Sequence, residues 1–353
     1  MQRAYFLGGA SPCGFETAFW REQQAAYGIY LKGGPGTGKS TLMKKIAAAF
    51  EGEPVSLYHC ASDPHSLDAV VLEARGVFIA DATAPHESST PLPYISGELL
   101  DLAQGLHSDV LTAQMTEIQR LYAENQAMHA LVRKGLGGIA AMEDLIADTG
   151  ADALLTDKLH RFAQRLAKRL FPRKTGASGC MMQRQCSALT PAGKLTLIPK
   201  DFTLMLLQDA WYAASQMLLN DLAATAANCG LTAEITRAQT QSHRPITHLL
   251  LPELHLALIA APHPPAELPA PTVIRMQRFY RQDALHAHRT LMRFCSKTAS
   301  AVTAQTVSLL AEALRIHDEL ESYYITALDP EWLDQKATEL AAKINAFPCK
   351  TAY

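Results

Sequence analysis

Tyr27 to Phe50, YGIYLKGGPGTGKSTLMKKIAAAF, contains an apolar run, a glycine-rich octet and a helical repeat, in that order. Tyr27 to Leu31 combines a β-branched residue with two aromatics and reads as a short buried strand. Gly33 to Ser40, GGPGTGKS, satisfies the P-loop pattern of Gly, four residues, then Gly-Lys-Ser/Thr. Beyond it, Leu42, Met43, Ile46, Ala49 and Phe50 have the spacing of an amphipathic helix.

The residue types match a phosphate-binding task. Gly33, Gly34, Gly36 and Gly38 let main-chain N–H groups turn inward around phosphate oxygens, where a Cβ would obstruct them. The following helix start adds about half a positive charge at the same place. Lys39 can reach the β- and γ-phosphates, and the Ser40 hydroxyl can ligate Mg²⁺. The expected binding set is Gly33, Gly34, Pro35, Gly36, Thr37, Gly38, Lys39, Ser40 and Thr41, with a nucleotide's phosphates and Mg²⁺ as ligand and ion. A glycine-rich turn with an incidental Lys-Ser is the bland alternative, and the two flanking elements argue against it.

The chain has 353 residues, room for two cores, and a formal charge of -2. That balance gives no global attraction to nucleic acid or to an anionic membrane. Seven cysteines without a C-x-x-C pair point to free thiols in a reducing compartment. No signal pattern opens the chain, and Pro252, Glu253 and His255 interrupt its most apolar segment, Leu249 to Ala261. A cytoplasmic protein is expected.

In chain order, Tyr5 to Gly14 reads as a strand ending in a Ser-Pro-x-Gly turn, and Phe15 to Ala26 as a helix. Val55 to Cys60 and Gly76 to Asp81 read as strands, with a loop at Ser62 to Asp68 between them. Glu98 to Leu170 reads as mostly helical, broken at Gly135-Leu136-Gly137-Gly138 and near Gly150. The order then repeats. Ser187 to Gly193 parallels Gly8 to Gly14, Phe202 to Leu206 parallels Tyr27 to Leu31, and Ser215 parallels Ser40. Leu249 to Ile259 with Ala261-Pro262-His263 parallels Val70 to Ala80 with Ala84-Pro85-His86, and Phe347 to Thr351 parallels Phe171 to Thr175. A nearly constant offset implies an internal duplication. The expected halves are 1–172 and 180–353, joined by a linker near Arg173 to Gly179. The second half has Gln208 to Ser215 where the first has its glycine loop, and Ile259 or Ala260 opposite Asp81, so it is expected to be a degenerate copy.

Asp81 ends an apolar strand, where P-loop proteins keep the carboxylate that holds Mg²⁺ through water. Ala82 follows, so the adjacent glutamate that activates water in many ATPases is absent. Glu87, His86, Asp63 and Asp68 are alternative groups for orienting water or an acceptor hydroxyl, each equally readable as a turn or cap residue. The expected catalytic set is Lys39, Asp81, Glu87 and His86, with Ser40 and Asp81 on the metal. His59 and Cys60 lack zinc-ligand spacing. Arg161, Arg165, Lys168 and Arg169 form one basic face, and Arg275, Arg278, Arg281, Arg289 and Arg293 form another basic region. Either could lend an arginine to the phosphates or touch nucleic acid, but a solvated helix face is the commoner meaning. Glu98 to Ala130 and Gln305 to Tyr324 suit antiparallel hairpins that pack on each other or on a protein partner.

GGPGTGKS, LYHCASDPHSLDAV and GVFIADATAPH, with His317 to Ile325 (HDELESYYI), together resemble a family of bacterial cytoplasmic P-loop ATPases with two tandem P-loop-like halves joined through helical regions. The resemblance implies an α/β, P-loop NTPase-like fold with duplicated halves, inserted helical hairpins, ATP binding and hydrolysis. Here only the first half keeps the glycine loop. An Mg²⁺-dependent ATPase whose nucleotide state moves the helical hairpins is the first expectation. A kinase acting on a small molecule and a nucleotide-sensing interaction module are the alternatives.

Overall fold

The computed structural model describes residues 2–23, 26–172, 179–264 and 271–347. The first half contains β1 (Gln2–Phe6), β2 (Gly9–Ser11), β3 (Gly14–Glu16), α1 (Phe19–Glu22), β4 (Tyr27–Lys32), α2 (Lys39–Ala49) and β5 (Val55–His59). It continues with β6 (Leu67–Leu72), β7 (Val77–Asp81), β8 (Gly97–Asp101), α3 (Ser108–Ala113), α4 (Met115–Ala153) and α5 (Thr156–Leu170). The second half contains β9 (Cys180–Gln183), β10 (Ser187–Thr190), β11 (Gly193–Thr196), β12 (Thr203–Gln208), α6 (Ala213–Asn228) and β13 (Thr232–Arg237). It ends with β14 (Ile246–Leu251), β15 (Leu256–Ala261), β16 (Thr272–Arg275), α7 (Gln282–Ala287), α8 (Arg289–Ala327) and α9 (Pro330–Asn345).

Each half builds a six-stranded mixed sheet, in the order β1-β5-β6-β7-β4-β8 and, read in the same sense, β9-β13-β14-β15-β12-β16. The directions repeat as well, with the middle hairpins antiparallel and the other pairs parallel. Even a register slip recurs, at Tyr58/His59 and at Thr236/Arg237. The small hairpins match in detail. Cys13 N–H donates to Ser11 Oγ at 3.1 Å, and Ala192 N–H donates to Thr190 Oγ1 at 3.2 Å, closing the same Ser/Thr-Pro-x-Gly turn twice. This repeated topology is an α/β duplication.

The sheets lie face to face. Tyr5, Phe19, Tyr30, Tyr58 and Phe78 from one side meet Phe202, Leu204, Leu250 and Ile259 from the other in a shared apolar layer. The outer faces are covered by helices, one from the same half and one from the other. Leu333, Ala337, Leu340 and Ile344 of α9 join Leu42, Met43 and Ile46 of α2 over the first sheet. Leu159, Ala163 and Leu166 of α5 join Leu218, Leu219 and Leu222 of α6 over the second. Each half thus lends its last helix to the other, so neither 1–172 nor 180–353 encloses its own core. The expected linker, Arg173 to Gly179, lies outside the described residues except for Gly179, as does most of the Phe347 to Thr351 parallel.

Several local expectations change. The helix at Phe15 to Ala26 shrinks to α1, because Gly14–Glu16 pairs back on β2. Leu67 and Asp68, expected in a loop, begin a buried strand. Glu98 lies in edge strand β8, not in a helix. Gly135 to Gly138 does not break α4, which runs through 39 residues. A Cβ on Gly135 would lie 2.3 Å from Thr306 Oγ1, so this glycine permits close helix contact. α4 and α8 pair antiparallel: Leu121 meets Ile316 and Leu320, Leu136 meets Leu310, and Ile146 meets Met292 and Cys295. No helix among the described residues is long and apolar enough to cross a membrane.

Candidate phosphate-binding site

The site forms where β4 gives way to α2. Gly36 and Gly38 hold left-handed φ values of 69° and 82°, which bend residues 33–38 over the start of α2. A Cβ on Gly36 would lie 2.6 Å from the Glu321 carbonyl oxygen, so glycine is needed for space as well as for its turn. Thr37 is buried, and its hydroxyl donates to Gly34 O at 2.9 Å, which braces the loop internally. Thr83 braces it from outside, donating through Oγ1 to Gly33 O at 3.0 Å.

Lys39 curls over the loop. Its ammonium donates to Gly33 O and Gly34 O, each at 2.7 Å, and lies 3.7 Å from Asp81 Oδ2. The pairing of Leu31 with Asp81 between adjacent β4 and β7 places that carboxylate level with the loop. Asp81 Oδ1 accepts from Thr83 N–H at 2.8 Å. Ser40 lies in the first turn of α2, where its Oγ accepts from Leu67 N–H at 3.0 Å. Thr41 is exposed.

Two of the alternative groups join Asp81. Asp68 on β6 and His86 beyond β7 come together with it, and their donor atoms all lie within 4.8 Å of one another. His86 Nε2 is 3.6 Å from Asp68 Oδ2. Burial pushes the Asp68 carboxyl up to about 6, with Asp81 adding to the rise and His86 opposing it. Glu87 is exposed and outside this cluster. Asp63 closes a turn, accepting from His65 N–H at 3.1 Å and Ser66 Oγ at 2.5 Å. His59 Nδ1 is 2.9 Å from Pro64 O, and burial pushes the Cys60 thiol up.

The C-terminal end of α8 lies on the loop. Glu321 Oε1 accepts from Gly36 N–H at 3.0 Å, and Tyr324 rests against Gly34 and Gly36. His317, 3.7 Å away, holds the Glu321 carboxyl below its usual range, and the Gly36 N–H adds to that effect. A carboxylate therefore already engages a main-chain amide of the glycine loop. Glu321 is 285 residues from Gly36. Its segment was read as a helical hairpin and as part of the family resemblance, and no spacing rule connects it to the loop.

The second half differs at the corresponding positions. The sheet register places Ala260 opposite Asp81. Asp209 occupies the first position of the would-be loop, and its buried carboxylate accepts from Trp211 N–H at 3.0 Å, Ser215 N–H at 2.8 Å and Tyr280 OH at 2.9 Å. This side chain supplies an internal anion to the helix start. The two basic regions belong to the second half's side. Arg161, Arg165, Lys168 and Arg169 are exposed on α5, Arg278 stacks on Phe162 at 4.7 Å, and Arg281 donates to Asp152 O at 2.9 Å. In comparisons with known proteins, no family model, no curated protein and no solved structure matches the chain.

Proposed function

We propose that the chain is an Mg²⁺-dependent ATP-binding protein of the P-loop NTPase type, an ATPase that couples nucleotide state to the α4–α8 pair. The observation that carries this is the glycine loop between β4 and α2, with an amide already engaged by the Glu321 carboxylate. Gly33 to Lys39 would receive the phosphates, and Ser40 and Asp81 would hold Mg²⁺, which offsets phosphate charge when bound. A triphosphate entering the cradle meets Glu321 as a competing anion. Its displacement frees the end of a 39-residue helix that spans about 58 Å at 1.5 Å per residue. Binding energy therefore has a lever to act on.

A second reading, a nucleotide sensor with slow turnover, is favoured by one feature. Ala82 follows Asp81 and is fully buried, so no carboxylate stands beside Asp81 in sequence to activate water. Steady Mg²⁺-dependent phosphate release from ATP by the purified chain supports the ATPase. Tight binding without release supports the sensor, and release only in the presence of a metabolite pool supports a small-molecule kinase.

A further inference from the structure

We infer that Asp68, Asp81 and His86 form a site for a divalent first-row transition ion, one that loads without nucleotide. β6 and β7 run antiparallel with Ala69 opposite Ala80, so Asp68 and Asp81 are the next facing pair at the sheet end. Two carboxylates facing each other across an antiparallel pair destabilise it unless a cation lies between or beside them. Lys39 answers only part of this demand: it is 3.7 Å from Asp81 Oδ2, whereas Asp68 Oδ2 is buried and, with His86 Nε2 3.6 Å away, makes no hydrogen bond among the described residues.

His86 completes the cluster. It is buried, its ring is seated edge-on against Phe15 at 4.4 Å, and its Nδ1 has no hydrogen-bond partner among the described residues. One imidazole nitrogen and two carboxylates make a mixed donor set that suits Mn²⁺, Fe²⁺, Co²⁺ or Zn²⁺ better than Mg²⁺, whose preferred ligands are all oxygen. Three protein donors also leave coordination positions open, as catalytic rather than structural sites do. In the second half both carboxylates are gone: the sheet register sets Thr247 and Ala260 in their places. The donor set is thus confined to the half that keeps the glycine loop.

The site shares Asp81 with the proposed Mg²⁺ position but does not depend on nucleotide, so metal alone is the probe. Mn²⁺ titrated into the nucleotide-free full chain is expected to bind at one equivalent, at least tenfold tighter than Mg²⁺, with nitrogen modulation in pulsed electron paramagnetic resonance. His86→Ala is expected to abolish that modulation and weaken uptake at least tenfold. Absence of stoichiometric uptake by the wild-type chain overturns the inference, as does uptake without nitrogen coupling. A chain that binds Mn²⁺ but no ATP would keep this site and remove the nucleotide reading, and the converse result would do the reverse.

Discussion

Glu321 is the residue on which the mechanical part of the account turns. Its carboxylate makes one charge-assisted hydrogen bond to the loop and stands where an incoming polyphosphate would repel it. If it competes with nucleotide, Glu321→Gln removes the like charge and tightens ATP binding, by up to about tenfold for roughly 1.4 kcal/mol. Equal or weaker affinity in a calorimetric titration would contradict that role. A loss of hydrolysis of about a hundredfold with binding retained would instead mark Glu321 as the group that activates water. Lys39 belongs to the same scale. Its charge-assisted bonds are each worth about 1.5–3 kcal/mol, so Lys39→Ala is expected to weaken ATP about ten- to a hundredfold. Most loop residues were legible, because glycine spacing, lysine and hydroxyl sit side by side in the chain. Thr37 was legible as a loop residue, but its hydroxyl turned out to brace Gly34. Asp68 and His86 were visible as candidates, yet only strand pairing shows that they meet Asp81 while Glu87 does not.

At the scale of elements, the helix pair carries a contrast within a single glycine cluster. Gly135 faces Thr306 across the interface, whereas a Cβ on Gly137 would meet nothing within 4 Å. Gly137→Ala should therefore stabilise the chain by up to about 1 kcal/mol, from helix propensity and a less flexible unfolded state. Gly135→Ala should destabilise it by about 1–3 kcal/mol, because Thr306 is buried and its hydroxyl donates to Val302 O at 2.8 Å. Urea melts of the two variants check this, and equal effects would contradict the close contact. The sequence suggested a break at these glycines because isolated propensity favours one; the partner helix reverses the meaning. Strands β6 and β8 escaped notice for a related reason. β6 is a short all-buried run without alternation, and β8 carries Glu98 and Asp101 as an edge strand.

For the whole molecule, the duplication was legible in weak matches at constant offset, and the repeated strand order gives them a structural basis. The face-to-face sheets and exchanged terminal helices were not legible, since a helix pattern records an apolar face but not the surface it covers. One consequence is that the fragment 1–172 lacks α9. Leu333, Leu340 and Ile344 would each forfeit about 1.5–3 kcal/mol of burial, a sum comparable to a domain's entire stability. That fragment is expected to show no cooperative unfolding alone and to recover it with 180–353 added in trans; independent folding would contradict the exchange. A second consequence concerns acid. His248 lies on β14 on the same face as Leu250, between the sheets, and burial pulls its imidazole down to about 3. The folded chain holds it neutral, whereas the unfolded chain protonates it near 6.5. Its contribution is complete above about pH 6.5 and is lost as pH falls toward 3. His248→Gln should therefore shrink the stability difference between pH 7 and pH 4 by on the order of 3 kcal/mol, and an unchanged difference in urea melts would contradict the assignment.

In the proposed function, main-chain amides of residues 33–39 grip one nucleoside triphosphate while the second half grips none. Isothermal titration of the intact chain with Mg²⁺ and ATP tests it most directly. A single equivalent is expected to bind, with affinity lowered about ten- to a hundredfold by Lys39→Ala. No uptake of ATP or of any other nucleoside triphosphate, or two equivalents per chain, would contradict it.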